Sequence, residues 1–205
     1  KQRAKIVQEE LEKLYPEDTI RLDNKDAYTQ MVAVALSAQT TDKKVNQITP
    51  ALFAVADTPE KMANLSFEEI KELIKQIGLT NSKAKNLKKM AEVLVDKHNS
   101  VVPQTFEELE ELAGVGHKTA SVVMSLGFGY PAFPVDTHIH RLMKQWKLTE
   151  GKNVVETERD AKSIWDESVW NKLHLQIIFY GREYSPARGS QEKDFITKLL
   201  FENKL

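Results

Sequence analysis

The chain has no cysteine. Disulfides, thiolate zinc sites and thiolate-held iron–sulfur clusters are excluded together by that one absence. The absence fits a reducing cytoplasm, the compartment expected for this protein. No apolar run approaches the roughly 20 residues that span a bilayer, and no charged-then-apolar leader is visible at the start. Low-complexity segments and clear repeats are missing as well. So is an excess of charge of either sign, since the formal net charge over 205 residues is −1. A nucleic-acid binder is ordinarily basic, so such a role here requires the charge to be segregated. What is present is 41% hydrophobic and 29% charged residues, the proportions of an ordinary globular protein with one good-sized core or two small ones.

The charge is segregated. Residues 71–90 carry Lys71, Lys75, Lys83, Lys85, Lys88 and Lys89 against Glu72 alone. Residues 104–112 carry four glutamates and no base. A solvated helix face explains a lysine run as well as a nucleic acid does.

The pattern reads as all-α. Ala84, Leu87, Ala91, Leu94 and Val95 recur at helical spacing between Asn81 and His98. "SFEE" at Ser66 and "TFEE" at Thr105 have the form of capping boxes, and Thr58 before Pro59 is a further start signal. Gly78 is expected to close the helix that opens near Ser66. "MVAVALSA" (31–38) is apolar all round and predicts a buried central helix from about Asp26. Residues 2–14 predict a helix that ends before Pro16 and must dock on something, being too short to stand alone. "GFGYPAFP" (127–134) is a rigid, non-helical link and marks a domain boundary. Beyond it, helices are expected at 137–146, about 160–169, 172–180 and 191–201.

"ELAGVGHKTASVV" (111–123) predicts helix, tight turn, helix. Glycines at 114 and 116 suit a turn with positive φ. They also let a phosphate approach the N–H groups that open the second helix. Such a hairpin grips a DNA backbone without reading sequence. Lys118 falls in the first turn of that second helix. The positive end of the dipole disfavours its charged form there, and a neutral amine is a nucleophile able to form a Schiff base. A phosphate contact or a plain exposed lysine is the competing reading. In "FPVDTHIHR" (133–141), Asp136 is a natural N-cap. A capping carboxylate stays ionised, and an anion beside a sugar losing its base stabilises an oxocarbenium-like transition state. His138 and His140 do not read as metal ligands, because positions i and i+2 of a helix diverge and no third ligand stands near.

Taken together, "ALSAQTTDKKVN" (35–46), "IGLTNSKAKNL" (77–87), "LAGVGHKTASVV" (112–123), "AFPVDTHIHR" (132–141) and "GKNV" (151–154) resemble, in order, the helix-hairpin-helix–Gly/Pro-Asp superfamily of DNA glycosylases, and within it the endonuclease III group. The resemblance covers roughly residues 20–185. It implies two helical domains with a DNA-binding cleft between them: a six-helix barrel at 20–130, and a second domain made of 1–19 with 131–205. It implies a bifunctional glycosylase and abasic-site lyase of base excision repair that acts, as a monomer associated with the nucleoid, on oxidised pyrimidines in damaged double-stranded DNA. Lys118 would be the nucleophile and Asp136 its partner. Gln39 would fill the gap left by the extruded base, and Leu79 would wedge the duplex open. Gly114, Val115, Gly116, His117, Thr119, Lys83 and Lys85 would contact DNA. Ser37, Asp42 and His138 would line the lesion pocket. A monovalent cation held by the hairpin carbonyls is also implied.

The C-terminal region departs from the family. The group usually carries four cysteines there around an iron–sulfur cluster, whereas this chain has Ser185 in the place of the first and none of the rest. "QEKDFITKLLFE" (191–202) reads as a replacement helix packed through Phe195, Leu199 and Leu200. Two enzymatic alternatives stay in view. An adenine-type glycosylase would lack the hairpin lysine and carry a glutamate within 31–38, where there is none. An 8-oxoguanine-type glycosylase keeps both Lys118 and Asp136, and only the "LSAQ" and "GLTNSKAKN" blocks speak against it. A non-enzymatic hairpin protein is the third alternative, opposed by the presence of both residues.

Overall fold

Side chains, more than propensity, decide where the helices begin. A computed structural model describes residues 1–16 and 25–203, and among them there are helices and no strand. Helix α1 (Gln2–Leu14) buries Ala4, Val7 and Leu11 along one stripe. Helix α2 (Ala27–Leu36) opens on a reciprocal capping box between Asp26 and Thr29, and nearly all its residues are buried. Thr41 caps α3 (Asp42–Val55), which carries Pro50 in its interior. Thr58 caps α4 (Pro59–Asn64), with proline in the first turn where its missing N–H costs nothing. Ser66 and Glu69 close the box that opens α5 (Phe67–Leu73).

The expected end of that helix is wrong. It stops at Leu73 with Ile74 as C-cap, and the left-handed residue is Leu79, at φ 59, rather than Gly78. Leu79 directly precedes α6 (Thr80–Lys97). Thr105 caps α7 (Phe106–Glu110) through the Glu108 N–H. The box there is incomplete, because the Glu108 carboxylate accepts from the Thr105 hydroxyl at 3.1 Å instead of reaching back to the backbone. Helix α8 (His117–Val122) runs into a π-helical turn at Val123–Gly127, which nothing in the residue spacing announces.

After the link, α9 (Thr137–Gln145), α10 (Val154–Ile164), α11 (Glu167–Glu183) and α12 (Phe195–Glu202) follow. The last three differ from the expected spans, and caps explain why. Asn153 opens α10, Asp166 accepts from the Ser168 N–H to start α11, and Asp194 accepts from the Thr197 N–H to start α12. These short polar side chains outvoted the apolar periodicity that runs across them.

The chain divides into two compact units, Ile20–Gly129 and Lys1–Thr19 with Tyr130–Leu205. The core of the first holds Met31, Leu36, Leu52, Ile70, Leu87 and Leu94, with α6 packed on α4, α5 and α2. The second is built on Leu11, Phe133, Leu142, Trp146, Ile177 and Tyr180. There α1 has its docking partners, α11 and α12. Each fully buried leucine contributes roughly 2 kcal/mol through removal of apolar area from water.

Candidate functional site

The hairpin between α7 and α8 is anchored from beneath and open above. Leu109, Leu112 and Val115 are buried in the core, and the Val115 N–H donates to the Leu112 carbonyl at 3.1 Å. Val115 therefore presents neither side chain nor amide to a ligand, so its expected part in DNA contact would fall to its carbonyl. Gly114 sits at φ +79, and a Cβ there would meet the Asn86 side chain at 3.0 Å. Gly116 is extended instead, at φ −93, so the expected positive φ holds for one glycine of the two. A Cβ on Gly116 would meet nothing within 4 Å. No side chain caps α8, so its first turn is open to an acceptor from outside.

Lys118 lies in that first turn with its side chain exposed. His117 is exposed as well, bonded to Glu110 at 2.9 Å and stacked on Phe106. Thr119 is half-buried.

Two more turns of the same unit carry expected residues. Gln39 is exposed at φ 57 in the turn after α2. Leu79 is 53% exposed, a large apolar side chain in a left-handed backbone and not the core leucine it could have been. An exposed apolar residue held in a sparsely populated conformation is a feature that folding alone does not favour. Ser37 is half-buried, its hydroxyl donating to the Val34 carbonyl at 2.6 Å, while half-buried Asp42 opens α3.

Lys83 needs a correction. It was expected to face a DNA backbone, but it is buried, and its Nζ donates to the carbonyls of Leu36 at 3.0 Å and Ala38 at 2.7 Å. Burial holds its ammonium below the usual lysine range. Lys88 behaves alike, donating to Ala63 and Leu65 at the end of α4 at 2.9 and 2.6 Å. Lys85 and Lys89 remain exposed.

Asp136 belongs to the other unit. Its Oδ1 accepts from the Ile139 N–H at 2.8 Å and caps α9. His174 of α11 is nearby enough for the Asp136 charge to act on it, yet burial dominates and pushes the imidazole down to about 4. Its Nδ1–H donates to the Trp170 carbonyl at 2.9 Å, and Nε2 has no partner. His138 lies against Gly181 and near the Arg141 guanidinium, at 3.4 Å. His140 is bonded to the Thr157 hydroxyl at 2.8 Å. Sequence reasoning missed Asn86, Arg141 and His174, whose residue types carry no signal until their neighbours are known.

Ser185 is fully buried, its hydroxyl and carbonyl both accepting from Arg141. Beside it Tyr180 stacks on Tyr184, and Phe195 packs edge-on to both. Asp194, 2% exposed, accepts from the Tyr180 hydroxyl at 2.6 Å and from Gln145 and Thr197 at 2.8 Å. Phe195 and Leu199 of the expected replacement helix are half-buried, whereas Ile196 and Leu200 are its fully buried anchors.

Comparison with known proteins gives a consistent picture. The profile of HhH-GPD superfamily base excision DNA repair proteins matches residues 32–167. Endonuclease III of Haemophilus influenzae is 42% identical over 189 residues, covering 92% of this chain and 90% of that protein. Among solved structures, a trapped covalent intermediate of endonuclease III with DNA, the estranged-adenine complex, aligns with a TM-score of 0.89 at 37% identity, over 93% of this chain and 90% of that one. A non-covalent endonuclease III–DNA complex aligns at 0.91 and 34% identity, over 99% and 97%.

Proposed function

The chain belongs to the HhH-GPD superfamily of base excision DNA repair proteins, and from that premise we propose that it is a bifunctional DNA glycosylase and abasic-site lyase acting on oxidised pyrimidines. The observation that carries this reading is Lys118, exposed in the first turn of an uncapped helix directly after a hairpin that leaves room for a phosphate. The damaged nucleotide is extruded from the duplex before chemistry, as any base must be whose reacting atom lies inside the stack. Gln39 and Leu79 enter the space it leaves, and an apolar wedge offsets part of the lost stacking. The reacting form of Lys118 is the free amine, since an ammonium has no lone pair to offer.

The Lys118 Nζ then forms a bond to the sugar C1′ as the bond from C1′ to the base breaks. Asp136, whose Oδ1 accepts from the Ile139 N–H, stabilises the positive charge that develops on the sugar. Ring opening gives a Schiff base between Lys118 and C1′. Loss of a proton from C2′ expels the 3′ phosphate, which nicks the strand, and hydrolysis of the imine releases the enzyme. The family's iron–sulfur cluster has no part in these steps. In its expected region Ser185 accepts from Arg141 and the Tyr180 hydroxyl donates to Asp194, an arrangement that supports a chain working without one.

Borohydride trapping on DNA with an abasic site or thymine glycol tests the reading. The wild-type protein is expected to form a covalent complex, and none with either substrate sinks the lyase claim. Lys118→Gln is expected to abolish trapping while leaving salt-sensitive binding. Asp136→Asn is more discriminating, because asparagine caps a helix as well as aspartate does. It should leave the unfolding midpoint almost unchanged yet slow base removal by roughly a hundredfold. A variant as fast as the wild type would reduce Asp136 to a cap.

A further inference from the structure

Among the described residues five with side chains are left-handed, and Gln39 and Leu79 are two of them. Both are exposed, both bear side chains, and both have left-handed backbones, at φ 57 and φ 59. Residues with a Cβ rarely adopt this conformation, and it persists where the surroundings over-determine it. One residue touches the main chain of both turns. The Lys83 Nζ donates to the carbonyl of Leu36, at the end of α2, and to that of Ala38, whose peptide leads into Gln39, at 3.0 and 2.7 Å. The Lys83 backbone N–H donates to the carbonyl of Leu79 itself, at 2.9 Å. The Lys83 side chain thus grips the turn that carries Gln39, from the first turn of the helix that Leu79 opens, where its backbone N–H makes the ordinary helical bond to Leu79.

The electrostatics suit the grip. The carbonyl end of α2 is the negative end of its dipole, and a buried ammonium among those carbonyls meets partial charge of the right sign. The same face of α6 reaches the hairpin as well. One turn on from Lys83, Asn86 lies against Gly114, and a cavity of about 20 Å³ is lined by Leu36, Lys83, Asn86 and Gly114 among others. Two of the ammonium's three donors are spent on carbonyls and the residue is 7% exposed, so little of the group is presented to a phosphate.

We propose that Lys83 is a positioning residue that holds Gln39 and Leu79 in register with each other, so that the two turns enter the duplex as one unit when the lesion is extruded. The proposal rests on the reading of Gln39 and Leu79 as the residues that enter DNA. It differs from a phosphate contact in what it leaves alone: the salt dependence of binding does not change when the ammonium is removed.

Lys83→Met tests it, keeping much of the stem and losing every Nζ donor. Extrusion is followed by the fluorescence of 2-aminopurine placed beside a non-cleavable abasic analogue, together with single-turnover base removal and binding across a salt series. Lys88→Met is the matched control. It loses the same kind of bonds, to Ala63 and Leu65, at a helix end that bears neither turn. Lys83→Met is expected to slow extrusion and base removal about tenfold or more, with an unchanged salt slope. Lys88→Met is expected to lower the unfolding midpoint to a similar degree with extrusion intact. Lys83→Arg, which keeps the charge and shifts the donors, is expected to fall between Lys83→Met and wild type, and it carries the test should Lys83→Met not fold. Wild-type extrusion in Lys83→Met overturns the positioning role. A salt slope shallower by about one charge overturns it in favour of a phosphate contact. Equal slowing by Lys88→Met overturns it in favour of general stability. Leu79→Ala and Gln39→Ala in the same assay separate the two layers. If neither slows extrusion, the reading of the turns fails and the proposal with it, whereas slowing by these two but not by Lys83→Met removes the proposal alone.

Discussion

His174 shows how much a single side chain can contribute without touching a ligand. It is buried, its Nδ1–H is spent on the Trp170 carbonyl, and its Nε2 faces no partner. Burial disfavours the imidazolium, and although that carbonyl and the charge of Asp136 both favour it, the folded group titrates only at about 4. An unfolded histidine titrates near 6.5. The unfolded chain therefore binds a proton first as pH falls, and stability contributed by the neutral ring is complete above the unfolded value and lost on the way down to the folded one. The loss attributable to this group amounts to about 3 kcal/mol between about pH 7 and pH 4. Urea unfolding across that window should show it, and His174→Asn should remove that part of the pH dependence. An undiminished slope in the variant would assign the acid sensitivity elsewhere. The burial behind this effect was not legible from residue types, since a histidine on an apolar helix face looks the same whether its far nitrogen meets a carbonyl, a water or nothing.

At the scale of elements, the two hairpin glycines separate stability from binding. Gly114 combines a left-handed backbone with an Asn86 side chain 3.0 Å from any added Cβ. Gly114→Ala should cost about 1 kcal/mol or more, read as a lower thermal midpoint. Gly116 has an extended backbone and empty space around it. Gly116→Ala should leave the midpoint where it is and weaken DNA binding, because the methyl group stands where a phosphate approaches the α8 amides. Equal thermal losses would contradict this division. The contrast also marks what the sequence could reveal. Helix starts at Thr58, Ser66 and Asp136 were readable because a capping side chain acts on its own next turn, within three residues. The ends of α5, α10 and α11, and the inward turn of Lys83, were not. Each depends on a neighbour distant in the chain or on a cap that competes with the apolar rhythm. Glycine was expected to hold the left-handed position near residue 78, yet Leu79 holds it, against intrinsic preference.

For the whole molecule, a net charge of −1 means that affinity for DNA comes from where lysines point. The lysine-rich stretch of residues 71–90 looks strongly basic, but the structure ties two of its ammonium groups to main-chain carbonyls and gives two more a partner on the surface. Lys83 and Lys88 are bonded to main-chain carbonyls, Lys75 is paired with Glu72 at 2.6 Å, and Lys71 lies over the Phe67 ring. Lys85 and Lys89 are left exposed on α6, the helix that also carries Leu79 at its N-terminus. Each lysine that neutralises a phosphate releases about one counterion, so it steepens the fall of log K with log salt by about 0.9. Fluorescence anisotropy with an undamaged duplex over a salt series should therefore show a slope shallower by about 2 in the Lys85→Ala, Lys89→Ala double variant. Lys88→Met should leave the slope unchanged, although the same count of charges per residue would have predicted a loss. If the double variant keeps the wild-type slope, the α6 face makes no phosphate contact, and the electrostatic share of binding must come from the α8 amides and from lysines elsewhere on the chain.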